Sequence, residues 1–381
     1  MLRELKRDHH ITYLALDDGS AGEKERTQAN EYCHDLISVP HTTRPKFSLG
    51  FYLELISNLV SPLPYFIKKY ESSRMRATIE SLVRQNQFDI LVCDFLQPSV
   101  NIPEKVGLPM VLFQHNVEAM IWKRHYEVQV NPAKKRYLYN QWLKSTKYEG
   151  QACRRFDVVV AVSDADEQQI RVDYRIEKVV AIPTGVDLHY FAPRQDVVRD
   201  PWNLVFTGSM DWLPNEDAMQ YFIREVLPLI RTQAPDTTLT VVGRDPYPSL
   251  IDLSKSVRGI EVTGRVEDVR PYIAKASVFV VPIRIGGGTR LKIYEAMAMG
   301  TPVVSTTVGA EGLPLVNGQE LLLADGPADF ATAVVSLLND KTKAQELGAR
   351  SARLMEERNG WANVAKVFAG ICSSAVSKSK G

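Results

Sequence analysis

Short apolar runs rich in β-branched residues alternate along this chain with longer stretches in which apolar positions recur at helical spacing. Runs of the first kind occupy residues 11–16, 33–39, 88–95 (FDILVCDF), 109–114 (PMVLFQ), 156–162 (FDVVVAV) and 178–182 in the first half. In the second half they occupy 203–207 (NLVFT), 237–242, 260–262, 278–283 (VFVVPI), 302–305 and 320–324. Near-continuous apolar runs are what a parallel strand buried on both faces requires. The helical stretches lie at 49–60, at 63–85 with Tyr65, Tyr70, Met75, Ile79, Leu82 and Val83 on one side, and at 164–172, 214–230, 269–276, 327–339, 341–357 and 361–373. This alternation predicts an α/β fold of parallel, doubly wound sheets. The start is unusual: Leu2 and Leu5, at helical spacing, run straight into the strand at 11–16, so the first sheet is expected to be one strand short.

At 381 residues the chain exceeds what one hydrophobic core usually serves, so two domains are expected. Residues 191–201 carry two prolines and no periodicity, which places a first domain at 1–192, a linker at 193–201, a second domain at 202–360 and a last helix and tail at 361–381. Composition narrows the class: 45% apolar and 24% charged residues make the chain globular, and a net charge of +1 gives no general attraction to nucleic acid. Cys33, Cys93, Cys153 and Cys372 show no CxxC spacing, which argues against a zinc site and a disulfide framework and fits a reducing cytosol. No run reaches the 18 or so apolar residues of a membrane span, and MLRELKRDHH is polar where a signal peptide would be apolar, so a soluble or peripheral cytoplasmic protein is expected.

Three stretches carry candidate chemistry. The first is 282–304, PIRIGGGTRLKIYEAMAMGTPVV, where a buried strand meets a glycine turn and a helix. Gly286, Gly287 and Gly288, with Thr289 as N-cap, aim backbone amides outward, and Arg290 and Lys292 sit in the first helical turn, where the macrodipole disfavours cations by roughly 0.3–1 kcal/mol. Either both cations lean into solvent or an anion is bound there; Glu295, one turn on, adds an acceptor for hydroxyls, and phosphate plus sugar hydroxyl is the simplest ligand. The second is His115, Asn116 and Glu118, directly after the strand at 109–114, at the edge where open parallel sheets bind ligands; a polar cap at the start of a helix is the plainer reading. The third is 123–155, where nine cations against Glu127 and Glu149 leave a local +7, interleaved with Trp122, Tyr126, Tyr137, Tyr139, Trp142 and Tyr148. An anionic membrane surface or lipid diphosphate, a solvated helix pair with ordinary core aromatics, and, more weakly, nucleic acid are the readings this composition leaves open.

Taken together, GRVEDV at 264–269, VVPIRIGGGTRLKIYEAMAMGTPVV at 280–304 and IPTGVD at 182–187 resemble the retaining, nucleotide-sugar-dependent glycosyltransferases of the GT-B fold, and among them bacterial sugar transferases of exopolysaccharide clusters. The resemblance implies two facing Rossmann-like domains, with donor bound mainly in the second, acceptor in the first, catalysis in the cleft, and the last helix crossing back to the first domain. Matched position by position, it implies that Glu295 meets the donor ribose, that Arg265 and Val266 lie against the base, and that His115 acts near the transferred sugar or its phosphate. The turn after the strand at 203–207, with Gly208, and the stretch from Gly286 to Lys292 would hold diphosphate and sugar.

Three departures accompany the resemblance. Gly287 stands where members often carry a first glutamate touching the sugar. Ser209 and Pro214 stand where many have an Arg and a Lys for the diphosphate, leaving Arg290 and Lys292 as replacements. Members also begin with a strand and glycine-rich loop that this chain starts after, which points to an upstream start of the reading frame or to a truncated, weakly active form. The implied reaction is sugar transfer from a nucleoside diphosphate sugar to a hydroxyl of a lipid-linked glycan or exopolysaccharide precursor, by a front-face route assisted by the donor phosphate, without metal or other cofactor. Asp164 and Asp166 (SDAD) match a metal-binding Asp-x-Asp only by spacing and read as helix caps. A non-catalytic nucleotide-sugar-binding or truncated inactive form, and a GT-B sugar-nucleotide epimerase, are the alternatives.

Overall fold

A computed structural model describes residues 1–379 except 21, 46–47, 86, 195 and 286–290. The chain forms two units, one from residues 1–183 together with those from Val364 onward, the other from Thr184–Asn363.

In the first unit, β1 (Thr12–Asp17) pairs in parallel with β2 (Asp35–Pro40). Strands β3 (Leu91–Asp94), β4 (Met110–Gln114), β5 (Val158–Ala161) and β6 (Val179–Ala181) form a second parallel sheet in that order. Among the described residues no ladder joins β1 to β3. Burial follows the pairing: β4, with a neighbour on each side, is buried at all five positions, whereas β1 has no fully buried residue and Val92 of β3 is 41% exposed. The helix expected over 63–85 is two helices, Tyr65–Lys68 and Ser73–Arg84. Tertiary hydrogen bonds explain the break, since Asn101 accepts from Ser72 N (2.7 Å) and donates to Tyr70 O (2.9 Å), while Ser72 Oγ caps the second helix at Met75 N (3.2 Å).

The second unit holds six parallel strands: β7 (Asn203–Thr207), β8 (Thr238–Val242), β9 (Ile260–Val262), β10 (Val278–Val281), β11 (Val303–Ser305) and β12 (Leu322–Leu323), ordered β12-β11-β10-β7-β8-β9. Leu204, Phe206, Leu239, Val241, Phe279 and Val281 are fully enclosed, as strands covered by helices on both faces must be. The order reverses between β7 and β10, which pair as Val278↔Leu204 and Phe279↔Val205. From β7 the chain winds one way to β8 and β9; from β10 it winds the other way to β11 and β12. The loops leaving β7 and β10 therefore diverge, and a crevice opens at the carboxyl ends of these two strands.

Residues 184–201, expected to close the first domain and form a linker, are held by the second unit. Val186 N donates to Asn359 O (2.7 Å), Arg199 Nη2 to Gly300 O (2.8 Å) and Asp200 N to Lys275 O (2.9 Å), contacts that a reading of periodicity does not register. The last helix, Trp361–Ser379, starts in the second unit, and from Val364 it belongs to the first, where Phe368 lies against Phe113 with ring centres 5.5 Å apart.

Candidate active site

The crevice between β7 and β10 is built on glycine contacts. Gly208 follows β7 at once, and Gly243 follows β8 on the adjoining strand. A Cβ on Gly243 would stand 1.7 Å from Gly208 O, so the two turns touch backbone to backbone. A Cβ on Gly208 would lie 2.7 Å from both Lys292 Nζ and Asn215 Nδ2. The absent side chain thus leaves a position that the Lys292 ammonium occupies, directly over the end of β7. Lys292 is fixed there by the Phe206 ring, 4.0 Å from Nζ to its centre, and by Asn215 Oδ1 at 3.1 Å. Asn215 is itself buried and donates to Ser209 O (2.8 Å), so the cation is held by a rigid support. Arg244, after β8, adds a guanidinium to this edge by donating to Ser209 Oγ (2.7 Å).

Gly286, Gly287, Gly288, Thr289 and Arg290 lie outside the described residues. Both flanks of that stretch are anchored. Thr306 Oγ1 donates to Ile283 O, and Arg284 is clamped by Asp217 (2.8 and 3.2 Å) with its guanidinium 4.2 Å from the Tyr221 ring centre. On the far side the helix Leu291–Ala298 carries Lys292 and Glu295. Burial raises the Glu295 carboxyl above its ordinary range, with Lys292 opposing the shift. No hydrogen bond or ion pair to the Glu295 carboxylate occurs among the described residues, an arrangement that leaves its oxygens to accept from a ligand. Arg265 is exposed beside Gly264, whose φ of +71° is the left-handed geometry glycine tolerates, and Val266 packs on the core of the second unit.

His115 stands apart from these residues in sequence and belongs to the first unit. It follows β4, and its Nε2 is 2.7 Å from Asp94 Oδ1 at the end of the neighbouring β3. Phe95 stacks on the imidazole with ring centres 3.9 Å apart at 16°. To do so Phe95 adopts φ +69°, a left-handed conformation that costs a bulky residue roughly 1–3 kcal/mol. The strained residue is retained by Phe95 N donating to Phe113 O (2.9 Å) and its carbonyl accepting from Cys93 Sγ (3.3 Å). Below His115 the helix Glu118–Val128 has no side-chain cap of its own. Glu149, at 0% exposure, replaces one by accepting from Glu118 N (3.0 Å), Ala119 N (2.9 Å) and Tyr174 Oη (2.7 Å). Burial pushes the Glu149 carboxyl up to about 7 against these bonds, which favour the ionised form. With its amide turned, Gln114 Nε2 meets Glu149 Oε1 (2.7 Å) and Asn116 O (3.0 Å), linking the carboxyl to the residue after His115.

Sequence reasoning placed His115, Gly208, Lys292 and Glu295 at strand ends and on one helix, but missed Asp94, Phe95, Asn215 and Phe206. Asp94 left a signal: a carboxylate ending an apolar run next to the strand that bears His115. The basic stretch is corrected in part. Lys144 donates to Asn58 O (2.5 Å) and Leu59 O (3.0 Å), Arg155 to Ser99 O (2.6 Å) and Arg154 to Tyr174 O (3.1 Å), so three of the nine cations satisfy backbone carbonyls. The rings of Tyr126, Tyr139 and Trp142 contact one another at 5.3–5.8 Å across the helix pair, with Tyr139 exposed at its outer side. At Asp164–Tyr174 the Ser163 hydroxyl caps the helix by accepting from Asp166 N (3.1 Å) and donates to the Asp166 carboxylate (2.8 Å).

Comparisons with known proteins bear on the family and the fold. The family model described as "Glycosyltransferase Family 4" matches residues 1–190, and that described as "Glycosyl transferases group 1" matches residues 201–340. The sequence is similar to D-inositol 3-phosphate glycosyltransferase of Pseudarthrobacter chlorophenolicus, 29% identical over 224 residues, 54% of this chain and 52% of that one. The chain thus spans about half the length of that relative. The structure is similar to a glycosyltransferase from Rickettsia africae, with TM-score 0.64 and 13% identity over 98% of this chain and 94% of that one. It is also similar to Anabaena HepE in complex with UDP-glucose, with TM-score 0.64 and 13% identity over 96% and 100%. At such identities these structures speak for the fold alone, and the expected α/β class with parallel sheets is borne out.

Proposed function

This chain belongs to the GT-B glycosyltransferases, and from that premise we propose that it moves a sugar from a nucleoside diphosphate sugar to a hydroxyl, on a lipid-linked glycan or exopolysaccharide precursor, with retention at the anomeric carbon. The observation that carries the proposal is the Lys292 ammonium, held on the Phe206 ring and Asn215 over the side-chain-free Gly208 at the switch point of the second sheet. A fixed cation at a strand-end crevice suits a diphosphate. The similarity to a protein bound to UDP-glucose supports a nucleotide-sugar donor.

In this reading Lys292 and Arg290, with the amides of Gly286, Gly287, Gly288 and Thr289, take the charge that leaves with the diphosphate. Glu295 accepts from the ribose hydroxyls, and Arg265 and Val266 border the base. His115, oriented by Asp94 and Phe95, is assigned to the transferred sugar or its phosphate. The anomeric C–O bond breaks and its electron pair passes to the diphosphate, while the acceptor oxygen bonds on the same face and gives its proton to the departing phosphate oxygen. The two cations supply the positive charge that a metal supplies elsewhere, so we assign no metal. Among the described residues no helix is long and apolar enough to cross a membrane. A cytoplasmic enzyme in peripheral contact with an anionic membrane through 123–155 accords with a lipid-linked acceptor.

The test is incubation of the protein with labelled UDP- and GDP-sugars and a polyprenyl-diphosphate-linked saccharide, with product configuration read by NMR. Label transferred with retained configuration is the expected result. Free epimerised nucleotide sugar, or binding without transfer, overturns the proposal.

A further inference from the structure

One helix of the first unit turns an apolar stripe to solvent. Along Leu49–Asn58 and the two residues after it, Leu49, Tyr52, Leu53, Ile56, Leu59 and Val60 recur at the spacing of a single helical face, and they are 45–91% exposed. The face toward the protein carries Phe51, whose ring centre is 5.8 Å from that of Tyr65, together with the polar side chains of Glu54 and Asn58. Glu54 is bound by Arg44 Nε (2.8 Å) and Tyr65 Oη (3.1 Å), and buried Asn58 donates to Leu63 O (2.9 Å) and accepts from Gln141 Nε2 (3.0 Å). These satisfied bonds fix the rotation of the helix, so its apolar stripe cannot turn inward. A contiguous exposed stripe of this size marks an interaction surface.

The neighbouring charges indicate what covers it. Gln141 and Lys144, which hold the carboxyl end of this helix, belong to the helix Pro132–Arg155. That helix presents Arg136, Tyr139, Leu143 and Lys147 to solvent at spacings of three and four, hence on one face. Its one carboxylate, Glu149, is buried, so its exposed surface is basic, aromatic and free of acid. The stripe's own acid, Glu54, is neutralised by Arg44. An apolar stripe whose own carboxylate is paired with Arg44, beside a helix with cations and aromatics on its exposed face, complements an anionic bilayer and not an acidic or mixed-charge protein surface.

We propose that the helix Leu49–Asn58, continued through Leu59 and Val60, inserts its outward stripe into the interface of an anionic membrane, with Arg136 and Lys147 on the headgroups. This deepens the reading above, in which the acceptor is lipid-linked, and rests on it; it moves the insertion from 123–155 to a helix outside that stretch.

The experiment is co-sedimentation of the full chain with vesicles of phosphatidylglycerol and phosphatidylcholine, or of phosphatidylcholine alone, for wild type, L53E/I56E and R136E/K147E. Wild type is expected to pellet with the anionic vesicles. L53E/I56E, altered only at solvent-facing positions, loses at least about tenfold in partitioning with an unchanged melting temperature. R136E/K147E loses about thirtyfold on anionic vesicles and little on zwitterionic ones. Wild type remaining in the supernatant, or L53E/I56E pelleting equally, overturns the proposal. So does light scattering that shows a wild-type dimer and a monomeric L53E/I56E with no vesicle effect. Calorimetry with UDP and GDP separates the two readings: nucleotide binding without vesicle binding removes the membrane surface alone, and vesicle binding without nucleotide binding removes the donor assignment and leaves the surface standing.

Discussion

Replacing Lys292 with methionine isolates the charge on which the donor site rests. Methionine keeps an unbranched apolar stem across the Phe206 ring and removes only the ammonium, which now lies 4.0 Å from the ring centre and 3.1 Å from Asn215 Oδ1. An ammonium about 4 Å from a phosphate, at an effective dielectric constant of about 20, contributes about 4 kcal/mol. Lys292 is half-buried, and screening by solvent and salt reduces this to roughly half, about 2 kcal/mol. At about 1.4 kcal/mol per tenfold, UDP or GDP should bind about thirtyfold more weakly. Turnover should fall further, by about 10²–10³ in kcat/KM, because the charge on the leaving group grows in the transition state. The discriminating assay is calorimetry of each diphosphate against its bare nucleoside. The reasoning requires Lys292→Met to lose diphosphate affinity, to lose its salt dependence, and to bind uridine or guanosine as wild type does. Equal weakening of nucleoside and diphosphate would show that the substitution merely disturbed the pocket, and no change in either would remove Lys292 from the phosphate.

Gly208→Ala should lower donor affinity about tenfold with little loss of stability: its φ is not in the left-handed range, yet the added Cβ meets Lys292 Nζ and Asn215 Nδ2 at 2.7 Å, so a melting curve beside a UDP titration checks both halves. Asp94→Asn should reduce kcat about tenfold without raising the donor KM, since it loosens the His115 ring held at 2.7 Å, and in a His115→Ala background it should cost nothing further. Glu149 predicts a pH dependence of stability. Its carboxyl is raised from 4.5 to about 7, so between those values the folded chain holds a proton that the unfolded chain releases, and stability falls as pH rises across the window. The full difference is about 3 kcal/mol. Thermal melts from pH 5 to pH 8 should slope downward for wild type and lose that component in Glu149→Gln, and a parallel slope in the variant would refute the assignment.

The parallel strands and the two anomalous features of 282–304 were legible because each depends on local chemistry. β-branched runs such as VFVV and NLVF have few alternatives to a doubly covered strand, and a lysine at a helix start is out of place on dipole grounds wherever the helix lies. What escaped was everything decided by a partner distant in sequence. Asn101 breaks the helix expected over 63–85, and Glu149 caps a helix that begins some thirty residues earlier. Nothing in FDILVCDF announces a left-handed Phe95, because its conformation is imposed by the Phe113 carbonyl and retained by the stack on His115. Counting charge could not show that Lys144, Arg154 and Arg155 donate to particular backbone carbonyls, which lie distant in sequence.

The helix Leu49–Asn58 makes the limit concrete. A period of 3.6 residues fixes which side chains share a face; it says nothing of which face meets the protein. The usual inference, that the apolar face turns inward, assumes that burial of leucine outweighs every competing bond. Here the face that turns inward sets Phe51 beside Glu54 and Asn58: Asn58 satisfies both Gln141 and the Leu63 carbonyl while Glu54 satisfies Arg44 and Tyr65, and rotating the helix would strand those groups without partners. The exposed stripe loses nothing by this if its surroundings are not water. An exposed apolar stripe beside a basic surface is therefore a statement about the medium in which the protein works, and the direction of the helix, absent from the sequence pattern, is the part of the structure that makes it.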